Sequence, residues 1–340
     1  MEAFVSILRA AARRSAHRVP RFALAAALFA LAPLAAHAQF VTGLAGASGS
    51  TIGPDGAIYV TEGAVGRVSR VDPQTGDVTT FASGLPAFII GIGGAIDIAF
   101  LDGKAYVLVT LVGPDTALVG APAGTDTVGI YRIDGPSDFE VIADIGTWSI
   151  DNPSNSAIIF PSGVQYAIDA FRGGLLVTDG HHNRVLWVTL DGEITELQAF
   201  DNLVPTGIEV WGHRVLIAEA GPVPHLPQDG KVVQIGPRTN GIVGVAAGAR
   251  LAVDVEFGPG RSLFALSQGE WDGGFEGSAA LPGTGALFRV NGDGSMTQVL
   301  DGLSLPTSIE FIGNTAYIVN LLGEIWKYDN VGSPPFGVAR

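Results

Sequence analysis

Gly53-Pro54-Asp55-Gly56-Ala57-Ile58-Tyr59-Val60, followed by Gly66-Arg67-Val68-Ser69-Arg70-Val71-Asp72 and then Asp77-Val78-Thr79-Thr80-Phe81, spells out one structural unit. Pro54-Asp55-Gly56 has the residue types of a tight turn. Apolar and polar residues alternate on either side, the period of half-buried strands. The triplet Ile58-Tyr59-Val60 returns as Ala105-Tyr106-Val107, Leu175-Leu176-Val177, Val215-Leu216-Ile217, Leu263-Phe264-Ala265 and Ala316-Tyr317-Ile318. Its partner strand returns at Ile130–Asp134, Arg184–Val188, Lys231–Ile235, Ala286–Val290 and Glu324–Tyr328. Successive triplets lie 40 to 70 residues apart, the span of a four-stranded blade with one blade heavily inserted. The pattern predicts an all-β fold, a six-bladed β-propeller.

The sixth unit has no outermost strand, because the alternation stops after Asp329. Phe40-Val41-Thr42-Gly43-Leu44 resembles the outer strands at Thr80–Leu85 and Gln298–Leu303. The mature N-terminal strand is therefore expected to join the last blade and close the ring, removing two exposed edges. Residues 39–329 form the propeller in this reading, and 330–340 a loose C-terminal tail.

Residues 1–38 have the form of a cleaved signal peptide. Arg9, Arg13, Arg14, Arg18 and Arg21 precede an apolar run from Phe22 to Ala36, which ends in Ala36-His37-Ala38. That run is too short to span a bilayer comfortably, and the small-x-small ending suits a signal peptidase after Ala38. The implied location is periplasmic or secreted, with no membrane span after cleavage. The 340 residues carry 19 Lys+Arg and 33 Asp+Glu, a net charge of −14. Removing the leader takes away five arginines and Glu2, which leaves −18. So acidic a chain lacks the basic surface that nucleic acid or anionic lipid requires. With no cysteines, it has neither a disulfide scaffold nor a thiolate-bound metal.

Inserted length concentrates after second and fourth strands, at Leu111–Val128, Gly146–Gln165, Ala220–Asp229 and Gln268–Thr284. In a propeller these loops share one face, and loops on a rigid scaffold are where binding residues sit. Glu62, Asp179, Glu219, Gln268 and Asn320 follow the anchor triplets and are expected at the rim. Asp97, Asp169 and Asp254 occupy equivalent places in an alignment of the innermost strands and should ring the channel. Carboxylates there must accept N–H groups, share protons or hold a cation. Two readings follow: a Ca²⁺-like divalent cation or cationic ligand at the mouth, or each Asp bonding backbone N–H groups of a neighbouring blade. His181 and His182 point to opposite sides of a strand, so one at most joins a given site; His225 lies two loops away. Trp148, Trp271 and Phe275 either stack on a ligand or pin their own loops. No Gly-x-Ser-x-Gly, phosphate loop or HExxH pattern is present.

Val177-Thr178-Asp179-Gly180-His181-His182-Asn183-Arg184-Val185 resembles the repeat of six-bladed NHL and gluconolactonase-type propellers. Further stretches, in order, resemble the exported ScyD/ScyE propeller family. They are Gly129–Ile133, Ala143–Trp148 with Asp151-Asn152-Pro153, Val204-Pro205-Thr206-Gly207-Ile208, and Ala218–Gly221 with its proline-rich continuation. The lactonase-like relatives imply a divalent metal held by Glu, Asn and Asp, onto which Glu62 and Asp179 map. Thr206, after Pro205, stands where such relatives carry the asparagine. Tyr166 is retained from the Asp-Ser-Asn-Pro-Tyr-Gly stretch of the ScyE-like chains. The ligand-binding candidates are Tyr166, Thr206, His181, His182, Gln268, Trp271 and Asn320. Those for a metal or for catalysis are Glu62, Asp179 and Glu219, with Asp97, Asp169 and Asp254 added for a metal. Two functions are consistent with this set. One is a binding module for a small molecule or periplasmic protein; the other is a metal-dependent lactonase-like hydrolase at the channel mouth.

Overall fold

The computed structural model describes residues 38–154, 159–236, 241–274 and 277–333. Their strands form six four-stranded antiparallel sheets, five from consecutive strands and one mixed from the two chain ends. The mixed sheet joins Ala38–Val41 to Glu324–Tyr328, with Gln39 opposite Trp326 and Val41 opposite Ile325. Val41 and Leu44 are buried there, and the Leu44 N–H donates to the Gly323 carbonyl at 3.0 Å. The chain is a six-bladed propeller closed by its N-terminal strand. The predicted cleavage point falls at the first residue of that strand; residues 1–37 lie outside the described residues.

Six of the apolar clusters among the described residues each belong to a seam between blades, and two smaller ones lie among the loops. Tyr59 and Val68 of blade 1 pack with Val107 and Tyr131 of blade 2, and Phe264 of blade 5 packs with Ile309 and Ile318 of blade 6. Alternation explains this: one face of every blade meets the next, so a blade's outward-turned residues are core as well.

Polar side chains stitch the same seams near the axis. Thr61 donates to the Ile96 carbonyl, Thr178 to that of Thr206, Thr206 to that of Ala252 and Thr307 to that of Ser48. Ser50 and Ser308 bond at 2.8 Å across the closing seam. The innermost strands approach closely enough to require glycine. A Cβ on Gly49 would lie 2.0 Å from Asp97 Oδ1, and one on Gly207 2.5 Å from the Asp254 Cα. Thr178→Val is expected to lower stability by about 1–3 kcal/mol, since it strands the Ala167 N–H and the Thr206 carbonyl. Denaturant unfolding measures this.

The structure moves one sequence boundary. The tail read as loose from 330 is packed to Gly332: Val331 is fully buried, its N–H donates to the Asn314 carbonyl, and the Gly332 N–H donates to Asn314 Oδ1. Residues 334–340 lie outside the described set. No helix among the described residues is long and apolar enough to cross a membrane.

Candidate functional site

The innermost strand of each blade starts at the elaborated face and runs away from it, so alternate residues face the axis. Together they enclose a cavity of about 590 Å³. Its mouth is walled by Phe88 and Gly91–Gly93 after blade 1, Val164 after blade 2, His181 and Val204 of blade 3, His225 of blade 4, Gln268 and Gly277–Ala279 of blade 5, and Leu321 of blade 6. All of these follow second or fourth strands. The loops of this face also carry exposed apolar side chains, among them Val65, Ile92, Leu118, Leu226, Leu281 and Leu322. Such concentrations mark contact surfaces.

Of the sequence candidates, Tyr166, Thr206, His181, Gln268, Asp97, Asp169 and Asp254 line this cavity. Tyr166 Oη lies 3.2 Å from His181 Nε2, which gives the mouth a hydroxyl–imidazole pair. The Thr206 hydroxyl is committed to the Ala218 and Ala252 carbonyls. Gln268 accepts from the Ala280 N–H at 3.0 Å and so fixes its own loop.

The others lie outside it. His182, 2% exposed, sits behind His181 with Nδ1 2.7 Å from Asp179 Oδ2. Asn320 caps the turn that follows it, accepting from the Leu322 and Glu324 N–H groups. Trp271 pins its loop through Nε1 to Ser278 Oγ and an edge contact with His225. Trp148 lies under the Arg184 guanidinium, 4.8 Å from ring centroid to Cζ. Phe275 lies outside the described residues.

Glu62, Asp179 and Glu219 end the second strands of blades 1, 3 and 4, each opposite a cation that opens the third strand: Arg67, Arg184 and Lys231. Glu62 accepts from Arg67 Nε and Nη2, from Ser69 Oγ and from the Ala45 N–H. Burial pushes its pKa up, but these donors prevail and hold it below the usual carboxylate range. Asp179 accepts from Arg184 Nε at 3.0 Å. Glu219 differs. Val233 stands where blade 1 has Ser69, and neither Glu219 oxygen has a hydrogen-bond partner among the described residues. Burial lifts its pKa to about 7, with Lys231 pulling only partly the other way.

The three channel aspartates are not at one level. Asp97 faces Leu108 and Asp254 faces Leu266, but Asp169 faces Leu176, the middle of its triplet. All three inner strands carry the same one-residue register shift at their start, with Ala95, Gln165 and Ala252 equivalent, so Asp169 stands two residues farther along its strand than Asp97 and Asp254 do. Asp169 instead shares its level with three residues the sequence reading overlooked: Glu209 opposite Leu216, Glu256 opposite Phe264 and Glu310 opposite Tyr317. The channel thus holds an upper pair, Asp97 and Asp254, and a deeper tier of four carboxylates from blades 3 to 6.

Each aspartate accepts from the next blade: Asp97 from the Ile168 N–H, Asp169 from that of Val210 and Asp254 from that of Ile309, at 2.8–2.9 Å. Glu209 and Glu256 hydrogen-bond to each other. Burial raises Asp169 and Asp254 to about 7 and Glu209 to about 8. Burial and the neighbouring carboxylates raise Asp97, Glu256 and Glu310 well above the usual range. No lysine or arginine lines the cavity among the described residues. Nor do three His, Asp or Glu side chains among them come together as one metal-binding group.

The fold is shared with known propellers. The PQQ-bound aldose sugar dehydrogenase of Streptomyces coelicolor is similar at TM-score 0.57 and 14% identity, over 85% of this chain and 96% of that one. A gluconolactonase of Xanthomonas campestris is similar at TM-score 0.57 and 10% identity, over 85% and 87%. A catalytically inactive virginiamycin B lyase of Staphylococcus aureus with quinupristin is similar at TM-score 0.50 and 17% identity, over 83% and 79%. These likenesses establish the fold alone. No protein-family model and no curated protein matches the sequence.

Proposed function

We propose that this chain is an exported binding propeller that takes a small molecule into its central cavity from the elaborated face. The observation that carries the reading is the cavity itself. Its volume of about 590 Å³ lies within the range of small-molecule sites, roughly 300–1,000 Å³. Its mouth is built from the inserted loops, and four of the ligand-binding candidates face it. The leader and its cleavage after Ala38 support export to the periplasm or beyond. The ordered motifs shared with ScyD/ScyE-like chains support kinship with those exported propellers.

The lactonase reading has less behind it. Glu62 and Asp179 are each engaged by an arginine, and neither lines the cavity. The fold is common to dehydrogenases, lactonases and lyases, so it selects none of these chemistries.

Ser48→Trp tests the binding reading. Ser48 lines the cavity from blade 1, and its side chain is only half-buried. A thermal-shift screen against metal ions, lactones, amines and aromatic metabolites is expected to find ligands that raise the wild-type Tm. The indole, which takes up part of the cavity beside its wall, should reduce or abolish that rise while the circular dichroism stays that of the wild type. A screen in which no ligand class gives a Tm rise sensitive to Ser48→Trp contradicts the reading.

A further inference from the structure

We infer that the cavity binds an organic oligoamine, an aliphatic chain carrying two or more ammonium groups, whose charges lie among the six channel carboxylates. The inference rests on the binding reading above and names its ligand class.

An acidic cluster in a protein is ordinarily neutralised by its own arginines or lysines, or opened to water. Here no cation of the chain does so: six carboxylates line one cavity whose described wall contains no lysine or arginine, and Asp97 and Glu310 among them are buried. Glu310 is 8% exposed, lines the cavity, and makes no hydrogen bond or ion pair with any described residue. Its neighbours are Asp254, Glu209, Asp97 and Asp169, all of its own sign. A buried acceptor with only like charges around it leaves the counter-charge to be supplied from outside the chain.

The arrangement also selects among cations. Asp169 and Asp254 give each of their oxygens to a backbone N–H, one on the next blade and one in their own strand. Asp97 accepts from the Ile168 and Ile98 N–H groups, and Glu209 is tied to Glu256. The remaining acceptors are distributed around the ring and over two levels, with no three grouped for a single ion. A metal ion needs several oxygens within about 2.6 Å of one point. A chain with ammonium groups spaced along it meets acceptors one at a time. Ile96 and Val253, which precede the upper aspartates in their strands, line the cavity on the mouth side and offer surface to its methylenes. The fully protonated cluster is uncharged, so ammonium binding displaces protons and must strengthen as pH rises.

Calorimetry with spermidine on the purified protein tests this, with butylamine, 1,4-butanediol and CaCl₂ as comparisons. Spermidine is expected to bind one to one, at least about tenfold tighter than butylamine. Its affinity should rise about tenfold per pH unit between about pH 6 and pH 8 for each proton displaced. Glu310→Gln is expected to keep the fold and weaken spermidine by about tenfold or more. Thr51→Lys, at the deep level where blade 1 has no carboxylate, should place an ammonium in the site. That variant is expected to raise the Tm near pH 8 and abolish spermidine binding, an arm that does not depend on Glu310→Gln folding.

No spermidine heat near pH 8, undiminished binding by folded Glu310→Gln, or Ca²⁺ binding with spermidine silent would each overturn the inference. If amines fail while a neutral or anionic ligand gives a Tm rise sensitive to Ser48→Trp, the amine assignment falls and the binding propeller stands. If no class gives such a rise, both fall.

Discussion

Arg184→Met is expected to lower the free energy of unfolding by about 3–5 kcal/mol, the range for breaking a buried ion pair from one side. Arg184 is 1% exposed, among the largest fully buried side chains of the molecule. Its guanidinium donates from Nε to Asp179 Oδ2 at 3.0 Å, from Nη1 to the Asn152 carbonyl at 2.8 Å and from Nη2 to Ser149 Oγ at 2.9 Å. Trp148 covers its face. One side chain thus ties blade 3 to the helix Ile145–Asp151 that follows blade 2. Methionine fills much of the volume and supplies none of the donors. Asp179, whose Oδ1 already has no partner, would keep only His182.

Arg67→Met is the control. Glu62 is equally buried, but it retains Ser69 and the Ala45 N–H, and the Arg67 side chain is 34% exposed. Its loss should cost about 1–2 kcal/mol. Denaturant unfolding of both variants measures the difference. An Arg184→Met variant within about 1 kcal/mol of the wild type would mean that the buried network contributes no more than an exposed pair does.

The contrast shows how unevenly the sequence discloses its structure. The triplets, the Pro-Asp-Gly turn and the likeness of Phe40–Leu44 to the outer strands report backbone periodicity directly, and the six blades and their closure follow from it. Glu62 and Asp179 follow a triplet, the position of a rim acid. Each also stands five residues before an arginine, Arg67 and Arg184. In a hairpin that spacing sets acid and base opposite each other, so the pairing is legible in the spacing. The deeper tier was hidden for another reason. Ile208-Glu209-Val210, Val255-Glu256-Phe257 and Ile309-Glu310-Phe311 look like ordinary alternation with glutamate turned to solvent. In the innermost strand of a closed ring, the face opposite the packed one meets the axis and five other blades rather than bulk water. Only closure makes these glutamates a site. Asp169 lies deeper because its Ala-Ile-Asp stretch begins two residues farther along the strand than that of Asp97, an offset that the local residue pattern does not show.

The same carboxylates set the second expected result: with no ligand added, the protein loses stability as pH rises from about 5 to about 8. Asp97, Asp169, Glu209, Glu219, Asp254, Glu256 and Glu310 all have folded-state pKa values raised above those of the unfolded chain. Between the unfolded and folded values the native state holds protons that the unfolded state has released. Stability therefore falls with pH across that window, and the full penalty is reached above the folded value. For Asp169 and Asp254, which move from 3.8 to about 7, the penalty is on the order of 4 kcal/mol each. Carboxylates held low, such as Glu62 with Arg67, act in the opposite sense and lose their contribution as pH falls through their depressed folded values. Stability should therefore peak in mildly acidic solution. Urea unfolding from about pH 4 to pH 8 measures the curve, and a profile flat or rising between about pH 5 and pH 8 would show that the channel acids do not hold these protons. Glu310→Gln should flatten the slope, because it removes one such proton and one repulsive neighbour. A bound oligoamine should flatten it further, since the protons whose retention weakens the free protein at high pH are those its ammonium groups displace.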